Sequence, residues 1–256
     1  MTLRKKSILL VFTTPIICFL LANSPHINNI QKNRQAFMPL NTSLKDSGEI
    51  KTSKFAYLTF DDGPTYVITN ALLDVLKKQN VKATFFVVGK EIEGKELILK
   101  RIYEEGHGIG LHTYSHNFNK IYRSTEAFID EMTKTSNKIE EVTGSAPKII
   151  RFPGGSSKRL NAFTLEELHK NNYKVYDWNV NVCDGINPNL SISELIKNAQ
   201  IIKGNKDVAI ILMHCNFNNK NTVKALPGVI KYYLDLGYEF KAITEDTPEY
   251  YYRFKK

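Results

Sequence analysis

Cysteine, tryptophan and methionine are scarce in this sequence, at three, one and four in 256 residues. Three cysteines allow at most one bridge, and Cys18 sits in an apolar N-terminal run, so a disulfide-stapled scaffold is excluded. Neither GxGxxG nor GxxxxGK[ST] stands at any strand-to-helix turn, which removes the usual phosphate cradles of nucleotide-binding proteins. Lysine and arginine outnumber acidic residues 35 to 26, a formal charge of +9, yet they form no dense block, so nucleic acid is not an expected partner. The charge suits an anionic surface, or else reflects lysines spread over the whole exterior.

Long hydrophobic runs are also few. The one that stands out is Ser7–Ala22, uncharged and preceded by Arg4, Lys5 and Lys6, the pattern of an export signal. No small-x-small cleavage site follows it. Residues 1–22 are therefore expected to be a retained membrane anchor rather than a cleaved signal peptide, with the remainder on the extracellular side. Residues 23–53 are polar and unpatterned, with Pro25, Pro39 and Gly48, as in a stalk. A single folded domain is expected over residues 54–256.

Within that domain, short β-rich runs alternate with amphipathic helical ones. Strands are expected at Phe55–Phe60, Ala83–Val88, Gly108–His112, Lys148–Phe152, Lys174–Val182, Val208–Met213 and Glu239–Ile243. Helices are expected at Val67–Lys78, Lys95–Glu105, Thr125–Val142, Ala162–Lys170, Ile192–Ile202 and Val223–Leu236. The long helix at Thr125–Val142 shows an apolar face through Ile129, Met132 and Ile139 and is closed by Gly144. Seven such βα units imply an α/β fold with a parallel sheet, either an open doubly wound sheet or a barrel.

Polar residues gather where these strands end. Asp61 and Asp62 follow the first, His112 and His116 the third, Arg151 lies on the fourth, Asp184 follows the fifth and His214 the sixth. In a barrel all seven face one mouth. Two adjacent carboxylates repel each other unless a cation neutralises them. Asp62 with His112 and His116 makes a two-histidine, one-carboxylate set, which suits a zinc hydrolase and equally a non-haem iron oxygenase. Asp61 is placed to act as general base, and Arg151 to keep it ionised. His214 is placed as general acid, with Asp184 to hold its other ring nitrogen. Among the remaining histidines, His107 is expected to buttress the site, while His26 and His169 are expected in solvent.

As a set these residues resemble the five motifs of the polysaccharide deacetylases, the family-four carbohydrate esterases. The motifs are Thr59-Phe60-Asp61-Asp62-Gly63-Pro64, His112-Thr113-Tyr114-Ser115-His116, Arg151-Phe152-Pro153-Gly154-Gly155, Asp177-Trp178 through Asp184, and Leu212-Met213-His214. The resemblance spans about Phe55 to Ile243 and implies a distorted (β/α)7 barrel holding one divalent metal, usually zinc or cobalt. It also implies a groove wall at Pro153 and Gly154, an apolar wall at Trp178 and an acetyl-pocket residue at Leu212. Two departures stand out: many relatives carry aspartate where this chain has Cys215, and tryptophan where it has Gly185. Trp178 either stacks on a sugar ring or fills the barrel, and Tyr250-Tyr251-Tyr252 is expected to pack on the barrel's exterior. The resulting expectation is removal of acetyl groups from N-acetylglucosamine of a polysaccharide, with peptidoglycan favoured. The alternatives are chitin oligomers, acetylated xylan, a non-catalytic glycan-binding module, or the iron oxygenase.

Overall fold

The computed structural model describes residues 53–254, so the expected anchor over residues 1–22 and the stalk up to residue 52 lie outside the described residues. Two long strands form the centre: β1 (Lys54–Asp61) and β7 (Val208–His214) pair in parallel from Phe55 opposite Val208 to Asp61 opposite His214. Both are apolar and buried over most of their length, as strands covered on both faces must be. From β1 the parallel sheet continues through β2 (Thr84–Val87), β3 (Gly108–Leu111), β4 (Ile149–Ile150) and β5 (Lys174–Val175), and from β7 to β6 (Val180–Asn181). Strand β8 (Tyr238–Phe240) lies parallel to the start of β1.

The helices are α1 (Ile68–Gln79), α2 (Glu96–Glu104), the short α3 (Phe118–Ile121), α4 (Thr125–Thr143), α5 (Ala162–Lys170), α6 (Ile192–Ala199) and α7 (Lys220–Asp235). Local chemistry sets their ends. Ser124 caps α4 by accepting the Ala127 N–H at 3.1 Å, and Gly144 closes it at φ 73°. Ser191 and Glu194 form a reciprocal capping box on α6. Among the described residues no helix is long and apolar enough to cross a membrane.

Strand periodicity divides the core into a shell and a plug. Ala56, Leu58 and Phe60 of β1 pack into a large cluster with Leu72 and Leu76 of α1 and Val229 and Ile230 of α7. Tyr57, on the opposite face, packs with Phe86, Ile149, Tyr176, Ile210 and Ile243 inside the curled sheet. Each such side chain contributes roughly 1.5–3 kcal/mol when buried. Thr59 and Asp61 continue the face of Tyr57, since side chains alternate along a strand. The interior therefore changes from apolar to polar toward the carboxyl ends of the strands.

The strand expected at Lys174–Val182 is in fact two. β5 pairs with β4 and β6 with β7, and no ladder joins β5 to β6, so the barrel has a seam. Tyr250–Tyr252 fill it rather than lying on the exterior. The Asp177 N–H donates to the Tyr250 carbonyl at 2.6 Å, Tyr250 N–H to the Val175 carbonyl at 3.2 Å, and Tyr252 N–H to the Asp177 carboxylate at 2.8 Å.

Candidate active site

Strand β3 ends at Leu111 and the chain leaves it as a loop, so His112 and His116 are carried on loop geometry and not on one helix face. Their rings approach to a centroid distance of 5.1 Å. The Asp62 Oδ1 lies 3.6 Å from Nε2 of His112 and 3.4 Å from Nε2 of His116. Asp62, Thr113 and His116 all have positive φ, of 75°, 64° and 52°, an uncommon backbone for residues other than glycine.

This donor set fits a divalent ion. One ligand atom from each of Asp62, His112 and His116 falls within 4.8 Å of the others. A tetrahedral centre with bonds of about 2.0–2.1 Å separates its donors by roughly 3.4 Å, close to the two spacings from Asp62. The Nδ1 of His112 faces the Arg151 carbonyl at 3.0 Å, which fixes the tautomer and leaves Nε2 for the metal. Burial is the main cause that pushes His112 down to about 3, so the ring is a neutral ligand at ordinary pH.

Beside the donors lies a buried ion pair. Arg151 Nη1 donates to Asp61 Oδ1 at 2.9 Å and to Thr59 Oγ1 at 2.6 Å, Nε donates to the Tyr176 carbonyl at 2.8 Å, and Nη2 to that of Asp177 at 3.1 Å. The guanidinium also stacks 4.1 Å above Phe86, at the top of the apolar plug. Burial raises the basicity of Asp61, and the Arg151 charge and hydrogen bond pull against it. Its Oδ2 lies 3.7 Å from His112 Nε2, beside the metal donors.

A second pair faces it across the β1–β7 ladder. His214 Nδ1 is 2.8 Å from Asp184 Oδ1, while Asp184 Oδ2 accepts the His214 N–H at 2.9 Å and the Thr222 hydroxyl at 2.7 Å. Burial of the His214 ring opposes its charge, but the bond and charge of Asp184, with the charges of Asp61 and Asp62, raise it to about 9. Gly185 covers the imidazole: a Cβ there would clash with Cε1, Nε2 and Nδ1 of the His214 ring. The position is therefore closed to any side chain in this chain's geometry.

The structure thus brings together Asp61, Asp62, His112, His116, Arg151, Asp184 and His214. Leu212 is buried two residues before His214, opposite Thr59 and Asn181 in the sheet register. Pro153 is buried and its carbonyl accepts the Tyr122 hydroxyl at 2.6 Å; Gly154, exposed at φ 74°, would place a Cβ 3.3 Å from Phe118. Trp178 packs against the inner plug, with Tyr252 edge-on at 5.6 Å, so it fills the seam side of the barrel. His107 does not buttress the site. It precedes β3, at the opposite end of that strand, where Nδ1 accepts the Ala83 N–H at 3.2 Å. His169 is exposed on α5 and pairs with Glu249 at 2.8 Å. Cys183 and Cys215 are free thiols.

Three supporting residues escape sequence reasoning. Thr59 and Thr222 each complete an ion pair, and Glu131 of α4, buried, accepts the N–H groups of Tyr114 and Ser115 at 3.1 and 2.6 Å. The one legible signal was Glu131 itself, a carboxylate adjoining the apolar face that contains Met132.

The polysaccharide deacetylase family model matches residues 48–176. A peptidoglycan-N-acetylglucosamine deacetylase of Bacillus cereus is 34% identical over 201 residues, covering 77% of this chain and 72% of that protein. The crystal structure of a Bacillus cereus polysaccharide deacetylase aligns with TM-score 0.70 at 33% identity, over 76% of this chain and 94% of its own. The catalytic domain of a peptidoglycan N-acetylglucosamine deacetylase from Eubacterium rectale aligns with TM-score 0.71 at 31% identity, over 79% and 94% respectively.

Proposed function

The chain belongs to the polysaccharide deacetylase family, and from that premise we propose that its substrate is the N-acetylglucosamine of peptidoglycan, cut at the acetamide, with zinc as the metal. As a member it is a metal-dependent hydrolase that removes acetyl groups from polysaccharide. The observation that carries the mechanism is the meeting of two ion pairs, Asp61–Arg151 and Asp184–His214, next to three metal donors.

Asp62, His112 and His116 would hold a divalent ion, which would supply Lewis acidity toward the acyl oxygen and a more acidic water. Asp61 takes the proton of the attacking water, its basicity raised by burial and its charge secured by Arg151. His214 is protonated below about pH 9 and gives its proton to the amine nitrogen as the carbon–nitrogen bond breaks. Asp184 holds the ring from Nδ1 and leaves Nε2 for that transfer. Leu212, beside the pair, supplies an apolar wall for the acetyl methyl, and Pro153 and Gly154 one side of the groove.

Several features support a polymeric substrate. Tyr66, Phe118, Ile186 and Phe217 are exposed on the segments that follow the catalytic strand ends, an apolar rim suited to sugar rings. The relatives named for peptidoglycan support that glycan, and the two-nitrogen, one-carboxylate donor set supports zinc. The basic start and apolar run Ser7–Ala22 support an anchored enzyme acting outside the membrane. Protease access to the domain on intact cells tests that placement; a domain reachable only after lysis overturns it.

The direct experiment is acetate release by the zinc-loaded full chain from peptidoglycan, chitin oligomers and acetylated xylan. Release from peptidoglycan is expected, reduced about 10²–10⁴-fold by Asp61→Asn and by His214→Ala. Acetate from xylan alone would overturn the substrate, and tight glycan binding without release would point to a binding module.

A further inference from the structure

We propose that Glu131, on α4 and outside the donor set, is a positioning residue that sets the metal affinity of the His112–His116 loop. The proposal rests on the reading of Asp62, His112 and His116 as the ligands. The loop is strained, with Thr113 and His116 in the left-handed region, and such backbone persists only where its surroundings over-determine it. Its restraints can be counted. The Gly89 and Lys90 N–H groups each donate at 3.0 Å to the carbonyls of Thr113 and Tyr114, and the His116 N–H donates to Thr113 Oγ1 at 3.2 Å.

The N–H groups of Tyr114 and Ser115 point the other way and share one acceptor, Oε2 of Glu131. Successive N–H groups converging on one oxygen form a small anion-binding nest, here filled by a side chain of the same protein. The carboxylate is 2% exposed, so no water stands in for it easily. Lys120 approaches Oε1 to 3.0 Å as a charge contact without an aligned hydrogen bond. Burial opposes its charge, but the Ser115 N–H and the nearby Lys120 charge outweigh it and lower the Glu131 pKa, so the group is ionised when the loop is formed.

Without that acceptor two N–H groups between the ligating histidines lose their partner, and the loop relaxes toward ordinary backbone. The geometry at stake is the 3.4 Å approach of His116 to Asp62.

Zinc affinity of the full chain, read by competition with a chromophoric chelator, tests this independently of catalysis. Glu131→Ala is expected to weaken zinc binding about 10–100-fold, the usual effect of losing a group that orients a ligand. Glu131→Gln, whose carbonyl oxygen still accepts both N–H groups, is expected to keep most of the affinity. Parental affinity in Glu131→Ala overturns the proposal, as does equal loss in both variants. His116→Ala separates the premise from the inference: parental zinc affinity there removes the metal site itself. Where Glu131→Ala does not fold, Glu131→Met fills the volume without an acceptor and reads the same quantity. Loss of the fold in both overturns the proposal, since Glu131 then serves the whole domain.

Discussion

Of the metal donors, Asp62 and His116 stand on left-handed backbone and keep 24% and 30% of their side chains exposed, while His112 is buried at 3%. Among the proton-transfer groups Asp61, Arg151 and Asp184 are 3% exposed or less and His214 17%; Arg151 and Asp184 are each held by several hydrogen bonds, and Asp61 by the one from Arg151. The comparison teaches that the two halves are completed by different things. The donor half gathers one carboxylate and two imidazoles with their ligand atoms facing one another, an arrangement that a cation completes. The proton-transfer half already contains its own counter-charges.

Metal removal should separate the halves most sharply. Chelation or His116→Ala is expected to abolish acetate release while leaving the Asp184–His214 pair formed. The His214 ring, followed by NMR in the metal-free protein, should still titrate well above 6.5. A His214 that titrates normally once the metal is gone would show that one half depends on the other.

Arg151→Met attacks the buried half. It leaves the Asp61 carboxylate without its counter-charge, and breaking such a pair costs about 3–5 kcal/mol. Urea unfolding should record this loss. A destabilisation under about 1 kcal/mol would mean the pair is solvated like an exposed one.

Gly185→Ala is a smaller change aimed at the same half. The added methyl must displace the His214 ring, and a misplacement of about 1 Å costs on the order of 10² in rate. The effect should fall on kcat, with KM and zinc affinity unchanged.

The mildest probe is pH. His112 sits at about 3 in the folded chain against an ordinary 6.5, so the unfolded chain takes the proton first. Its stabilisation is intact above about 6.5 and is lost as pH falls toward 3. His214, at about 9, behaves oppositely: its stabilisation is complete below about 6.5 and is lost as pH rises through 9. The metal-free chain should therefore melt highest near pH 6.5, and Asp184→Asn should flatten only the alkaline flank. Persistence of that flank in the variant would assign it to another group.

Most of this arrangement was readable from the chain. The alternation of β and helical runs gave the curled parallel sheet, because burial on both faces leaves continuous apolar strands such as β1 and β7. Polar residues at strand ends identified all seven groups that converge, since a barrel collects those ends at one mouth. What sequence withholds is partnership. Lys174–Val182 reads as one strand because local pattern does not record that its two halves bond to different neighbours. Glu131 adjoins the apolar face of its helix in sequence, but only the tertiary fold shows that it serves the Tyr114 and Ser115 N–H groups. Thr59 and Thr222 look like ordinary β-branched residues until Arg151 and Asp184 are placed beside them. His107 falls outside the site for a related reason: proximity in sequence to Gly108 says nothing about which end of the strand carries the chemistry.

The seam between β5 and β6 bears on the order in which the enzyme is made. Asp177 gives its carbonyl to Arg151 and receives the Tyr252 N–H, a contact across 75 residues of chain. Contacts that close long loops form late because closure costs entropy, and the β1–β7 ladder joining Phe55 to Val208 spans even more chain than this one. In pulse-labelled hydrogen exchange the Tyr252 amide should gain protection after those of β2 and β3, which pair over a short loop. A nascent chain then holds the local β1–β2–β3 pairing before it holds either the β1–β7 ladder or the seam, so Asp61, Arg151 and His214 meet only when the long-range contacts close.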